Sequence, residues 1–279
     1  MAENIRIGKS NHVPISTLSS SVAVTSLNAL DNVKNEFRAR VAKWNNTDTL
    51  QIDGNIGEDV SANYAAIVRH NLPAGATAKY EFYSNSNQTG VKVYETSVSG
   101  EAVDTLIPLG IWRAGIDPYG GAAVQAYPVP VIWNFENIQL RSWRLILSGM
   151  GSAYDPQIGM LALGETILLS RNMRRGNSLR LFTNGEIAQS AAGGHLYRVD
   201  PVESRVMTVS GNLISEADRL NIEQQKIDVQ SEPFLVQGYP GSTNPYQARH
   251  SFMARYRDQG PIAHSLHIYH SANFTFVEA

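Results

Sequence analysis

Cysteine is absent from all 279 residues, which excludes disulfides, thiol nucleophiles and cysteine-ligated zinc. Charge is scarce: Asp, Glu, Lys and Arg make up 17% of the chain, and the net charge is −2 with no long basic run. Nucleic-acid binding needs clustered Lys and Arg along the phosphates, so that partner class is excluded. No window reaches the roughly 18 apolar residues of a membrane span. The start, MAENIRIGKSNHVPIS, has no apolar core behind a basic stretch, so no secretory signal is read there. A soluble chain made in the cytoplasm is expected. Against these absences stand 43% hydrophobic residues, 22 Gly and 12 Pro. That is ample for a buried core and tilts the chain toward strands and loops.

The first 26 residues are Ser/Thr-rich and weakly patterned, which reads as an extended N-terminal arm over 1–44. From Leu27 to Trp44, apolar residues recur at three- and four-residue steps, so the arm has room for a short helix at 30–43. From Thr49 the pattern changes to short apolar runs about 8 to 12 residues apart, the signature of a sandwich or barrel. TLQIDGNIG reads as a strand ending in an Asp-Gly turn, with Glu58 and Asp59 beside it. AAIVRH, AKYEFY and VKVYETS follow as strands. In AKYEFY, alternation sets Tyr80 and Phe82 on one face and Lys79 and Glu81 on the other. IQLRSWRLILSG puts Trp143, Leu145 and Leu147 on one face, and QIGMLALGETILL gives one or two buried strands split near Gly164. NLISEADRLNIEQQKIDVQ is a helix near 215–228, with Ser215 and Asp218 as a capping box and Ala217, Leu220 and Ile227 near one face.

Few motifs carry chemistry. RIGKSN lacks the first glycine of a phosphate loop, since the position five before Gly8 is Glu3. His264, His267 and His270 fall in a strand-like segment, where period two divides them between faces, so no metal site is expected. There is no G-x-S-x-G elbow, and no paired carboxylates stand out for glycoside hydrolysis. The chain reads as a non-enzyme without a cofactor. Residues 108–130 carry four prolines and four glycines around Trp112, Tyr119 and Tyr127, with Trp133 just beyond. These four aromatics suit either a sugar-stacking platform or a subunit interface. Arg171, Arg174, Arg175 and Arg180 form the one basic cluster, a candidate interface patch. His70 and Asn71, before the Pro73–Gly75 turn, read as residues that fix a hairpin through backbone hydrogen bonds.

The order of segments resembles a known family. Trp44, Asp53, Gly54, His70 and Asn71, followed by Trp143 and Arg144, resemble the opening and closing strands of galactose-binding-like jelly rolls. Arg205, LISEAD, PFLV and FTFVEA extend the likeness over residues 40–279 to a group of tailed-bacteriophage virion proteins. The resemblance implies a mainly β chain: a jelly-roll sandwich over 45–170, then a smaller β-rich part with one helix over 171–279. It also implies a structural role in a virion, at the tail tip or baseplate, assembling with copies of itself and other tail proteins. The alternative from a different class is a carbohydrate-binding module for host-surface glycans.

Overall fold

The computed structural model describes residues 4–26, 28–35, 40–73, 76–97, 130–171, 178–184, 187–189, 196–198, 202–230, 232–238, 240, 250–259, 262–266 and 269–279. The early strands are β1 (Arg6–Gly8), β2 (Thr17–Ser20), β3 (Ala42–Lys43), β4 (Leu50–His70), β5 (Thr77–Tyr83) and β6 (Lys92–Glu95). Next come β7 (Val131–Ser148), β8 (Gln157–Gly164), β9 (Thr166–Leu168), β10 (Ser178–Asn184), β11 (Ile187–Gln189) and β12 (Leu196–Arg198). The chain then forms β13 (Val202–Ile214), helix α1 (Glu216–Val229), β14 (Phe234–Gln237), β15 (Ser251–Gln259), β16 (Ala263–Leu266) and β17 (Tyr269–Glu278). The protein is mainly β, and α1 is the one α-helix among the described residues. No helix there is long and apolar enough to cross a membrane.

Two compact units divide the chain: Ser10–Thr166, and Met1–Lys9 together with Ile167–Ala279. The first is a jelly-roll β-sandwich with strand order β3-β8-β4-β7-β5-β6, and β2 paired to β4. Its early strand β4 lies beside the late strands β7 and β8, the returning neighbour order of Greek-key folds. β4 runs 21 residues and changes partners along its length. Residues 52–55 lie between β2 and β7, whereas residues 64–67 lie between β8 and β7. The ladder breaks between Asn55 and Val60, where Gly57 takes φ +87°, a left-handed backbone that favours glycine.

The Asp-Gly pair expected to close a hairpin is therefore mid-strand. Gly54 stands opposite Trp143 in the ladder, and a Cβ added to it would lie 2.1 Å from the indole Cε2. That glycine serves packing, not a turn. Glu58 and Asp59 likewise belong to β4. On β5, Tyr80 and Phe82 face the core, as alternation requires. They join Trp44, Trp143, Leu145, Leu147, Leu161 and Leu163, all at most 1% exposed.

The N-terminal segment is not a free arm. Residues 1–9 count with the second unit, where β1 sits between β14 and β9, and Ile5 and Ile7 are buried. In the sandwich, β2 pairs with β4 and Val13 is buried. The serines that blurred the pattern have a use: Ser16 Oγ accepts the Trp143 indole N–H at 3.2 Å, and Ser20 Oγ accepts that of Trp44 at 3.1 Å. A buried indole N–H needs such a partner. The helix expected at 30–43 is also corrected. Leu30–Lys34 is a short 3₁₀ turn and Ala42–Lys43 is strand β3. Val33 and Trp44 enter the core from this irregular path, which Asn32 ties by donating to the Val41 carbonyl at 2.9 Å.

The second unit is a sheet of order β10-β13-β17-β15-β14-β1-β9, with β16 paired to β17. Its core gathers Phe234, Phe252, Phe274 and Phe276 around Val209, Val236 and Ile222. Helix α1 starts where Ser215 Oγ accepts the Asp218 N–H at 3.1 Å. The reciprocal half of the expected box is replaced, because the Asp218 carboxylate accepts from the Ser170 N–H and hydroxyl instead. Arg205 and Glu278, two residues of the family likeness, form a buried bidentate pair (3.0 and 2.7 Å), with the guanidinium 4.7 Å from the Phe252 ring centroid.

Two outcomes are expected. Gly54→Ala forces Trp143 out of its seat and costs about 1–3 kcal/mol, as overpacking does, read from chemical denaturation. Deleting residues 1–26 removes β1, β2 and the Trp143 and Trp44 partners, so the truncated chain loses its cooperative unfolding transition instead of remaining a folded, arm-less protein.

Candidate functional site

The outer face of the sheet formed by β4, β7, β5 and β6 carries the densest group of chemically able side chains among the described residues. Register builds it: Asp53, Arg144, Glu81 and Glu95 stand opposite one another across the four strands. Arg144 donates from Nε and Nη2 to the two oxygens of Asp53 at 2.8 and 3.2 Å, and Gln51 Nε2 donates to Asp53 Oδ2 at 2.9 Å. Glu81 accepts the Tyr83 hydroxyl at 2.7 Å, and Lys79 and Lys92 lie 3.0 and 3.1 Å from its other oxygen. Both lysines also reach Glu95.

These contacts fix the protonation states. Burial alone would push Glu81 up, but hydrogen bonds from Tyr83, Lys79 and Lys92 together outweigh it and hold the carboxyl at about 2. Glu95 is lowered by Lys92 and Lys79, and the same bonds raise both lysines. The Tyr83 phenol is raised by burial and then by its bond to Glu81. A glycosidase acid needs a carboxyl raised toward neutrality, and Glu81 is shifted the opposite way. Glu81, Glu95, Lys79 and Lys92 thus form an ionic lattice that binds itself. Asp59 follows the same rule, held bidentately by Arg141 at 2.7 and 3.1 Å.

The sequence candidates fall elsewhere. Trp133 is 7% exposed, packed edge-on to Tyr80 with ring centroids 5.3 Å apart, and its indole donates to the Ser97 carbonyl at 3.3 Å. It is a core residue, not part of an exposed platform. Trp112, Tyr119 and Tyr127 lie outside the described residues, as do Arg174 and Arg175. Arg180 lies on β10, with its side chain outside the description. Arg171 stacks on Tyr269 at 4.8 Å and donates to its hydroxyl. His267 is outside the described residues, and the side chain of His264 likewise. His270 is buried and contacts Glu216 at 2.7 Å. Among the described residues, no group of three or more His, Asp and Glu is placed to hold a metal ion.

His70 and Asn71 act on backbone. His70 Nδ1 accepts the Leu72 N–H at 3.2 Å. Asn71 Oδ1 accepts the Gln157 N–H at 2.6 Å, and its Nδ2 donates to the Asp155 carbonyl at 3.1 Å. They staple the end of β4 to the start of β8 and do not fix the expected hairpin, because β4 pairs with β7 and β8 and not with β5. What the sequence reading passed over is an aromatic rim. Tyr94 lies 5.1 Å from Phe135, and Phe135 5.1 Å from Phe82, with Tyr94 still 37% exposed. The signal was the position of these residues on either side of the long Gly/Pro-rich segment.

The pH dependence of the lattice has a definite sign. Glu81 is depressed from 4.5 to about 2 when folded. Its stabilising contribution is therefore complete above the unfolded value of 4.5 and is lost as pH falls through about 2. Wild type is expected to lose stability relative to Glu81→Gln between about pH 5 and 2, with the gap between their denaturation midpoints constant above pH 5.

No family model matches the sequence, and no curated protein sequence matches it. Among solved structures, a Ruminococcus gnavus GH29 fucosidase in complex with fucose aligns at 9% identity and TM-score 0.40, over 57% of this chain and 27% of its own. This chain thus spans about a quarter of that enzyme. A chitosan-binding module from a Paenibacillus chitosanase/glucanase aligns at 12% identity and TM-score 0.38, over 56% of this chain and 99% of the module. A fucose-binding module of Streptococcus pneumoniae aligns at 11% identity and TM-score 0.36, over 56% and 94%. At such identities and scores, none of them assigns this chain a family.

Proposed function

We propose that the chain is a non-catalytic binding module that holds a neutral glycan through the segment joining β6 and β7. The observation that carries this reading is the Tyr94–Phe135 pair, two rings 5.1 Å apart at the rim of the sandwich core, with Tyr94 partly exposed. They bracket, in sequence, the segment that contributes Trp112, Tyr119 and Tyr127. Aromatic faces bind the C–H faces of sugar rings, and loop polar groups supply orientation. The lattice beside them argues for neutral sugars: Lys79, Lys92 and Arg144 are already engaged by Glu81, Glu95 and Asp53. It argues equally against turnover, because Glu81 and Glu95 are both lowered by their lysine partners.

A second reading, subunit assembly in a phage tail, rests on the resemblance over residues 40–279. One observation favours it: β6 ends the sheet order with all four residues exposed, and Val91 before it is 72% exposed. An exposed edge of this kind pairs readily with another chain.

Titration calorimetry against fucose, galactose and chitotriose, paired with light scattering over a range of concentrations, separates the two. Glycan binding by a monomer, weakened about tenfold or more by Trp112→Ala or Tyr94→Ala, is the expected result. A discrete oligomer with no sugar affinity overturns it and leaves assembly as the function.

A further inference from the structure

Helix α1 turns part of its apolar surface outward. Ile222, Gln225 and Val229 are buried, whereas Leu220 and Ile227 are 53% and 65% exposed. The face marked by the spacing of Ala217, Leu220 and Ile227 is thus the solvent face. Along it, Ala217, Leu220, Gln224 and Ile227 follow at steps of three, four and three, the seam spacing of a coiled coil. The helix beneath is firmly seated. Gln225 Nε2 donates to the Gly8 carbonyl at 2.9 Å, and its Oε1 accepts the Tyr256 hydroxyl at 2.6 Å. Asp218 accepts from Ser170 at the opposite end. A rigid seam costs little ordering entropy when a partner arrives.

The borders of the seam are acidic. Glu216 and Glu223 flank one side, Asn221 and Asp228 the other. Arg219 lies between the two glutamates, at 2.5 and 2.8 Å. Its hydrogen bond, backed by that of His270, keeps Glu216 ionised with a pKa of about 2. The Lys226 ammonium lies over the Tyr256 and Phe274 rings, at 5.9 and 5.4 Å, on the core side. Gln224 donates to Asp228 at 2.8 Å, leaving one polar position within the seam.

We propose that this seam docks an amphipathic helix of a partner protein, one whose three-four spaced apolar residues are flanked by Lys or Arg. The border charges select against a second copy of this chain. Antiparallel self-pairing about the middle of the seam sets Glu223 beside its own counterpart, and parallel self-pairing sets Glu223 toward Asp228. Each places like charges together, which an interface avoids. A 14-residue helix is about 21 Å long. The roughly three turns from Ala217 to Ile227 make a contact below the roughly 1,200 Å² of a standard stable interface, so the complex exchanges readily.

The probes are two synthetic helical peptides with leucine at every a and d position, one with lysine and one with glutamate at e and g. Their binding to the full chain is read by fluorescence anisotropy. The lysine peptide is expected to bind about tenfold or more tightly than the glutamate peptide. Leu220→Ser with Ile227→Ser removes the apolar seam without changing charge, and is expected to weaken the lysine peptide about tenfold while the circular dichroism stays the same. Glu223→Gln with Asp228→Asn should flatten the salt dependence of binding. Failure to bind either peptide, equal binding of both, or indifference to the serine variant overturns the proposal. A wild-type dimer in sedimentation that the serine variant dissociates also overturns it, by giving the seam to a second copy.

Discussion

The sandwich depends on one contact: the indole of Trp143 lying flat against the backbone of β4 at Gly54. No other residue fits there without displacing the ring, since any Cβ would lie only 2.1 Å from it. The ring is wholly buried, so its N–H must find an acceptor inside the protein. Leaving it without one would cost about 1–3 kcal/mol. Ser16 supplies the oxygen, and its own hydroxyl hydrogen goes to the His12 carbonyl at 2.9 Å. The N-terminal segment is thereby drawn along β4 as strand β2. A second tryptophan repeats the arrangement, with Ser20 serving Trp44. A glycine, two tryptophans and two serines thus explain why a segment poor in apolar residues belongs to the sandwich at all.

The second unit is built on the same constraint with different chemistry. Gln225 is fully buried, yet both ends of its amide are used, one by β1 and one by Tyr256. Arg205 is 5% exposed and gives its guanidinium to Glu278, to the Ser251 carbonyl and to the Phe252 ring. Breaking such a pair from one side strands a buried charge, at a cost of several kcal/mol. The pair ties strand β13 to the last residues of β17, which makes the C-terminal glutamate a closing element of the sheet.

Legibility in the sequence followed how local each cause was. The alternation in AKYEFY and around Trp143 named core faces correctly, because a strand's period is a property of its own residues. The backbone-bonding role of His70 and Asn71 was readable but the hairpin was not, since β4 and β5 do not pair and the partners of Asn71 lie 84 and 86 positions away. Gly54 was not readable. Asp-Gly is a strong hairpin signal, and only the distant Trp143 makes that glycine a packing residue inside a long strand. The serines of the first 20 residues failed for the same reason, their partners lying 24 and 127 positions away. Helix α1 is legible from its cap, and the spacing of Ala217, Leu220 and Ile227 marks one face, but that face is exposed. Periodicity marks a face without saying which side of the helix meets the core.

The distribution of charge separates binding from chemistry in this protein. On the outer sheet face Asp53, Glu81 and Glu95 each meet a cation at hydrogen-bonding distance, and Glu81 meets two lysines and a phenol. A catalytic carboxyl needs the reverse, an apolar wall or a like-charged neighbour that keeps a proton within reach at neutral pH. Apolar surface is exposed among the described residues at the Tyr94–Phe135 rim in one unit and at Leu220 and Ile227 in the other. Under the two proposals above, recognition falls to this aromatic and aliphatic surface, with charge acting at its margins.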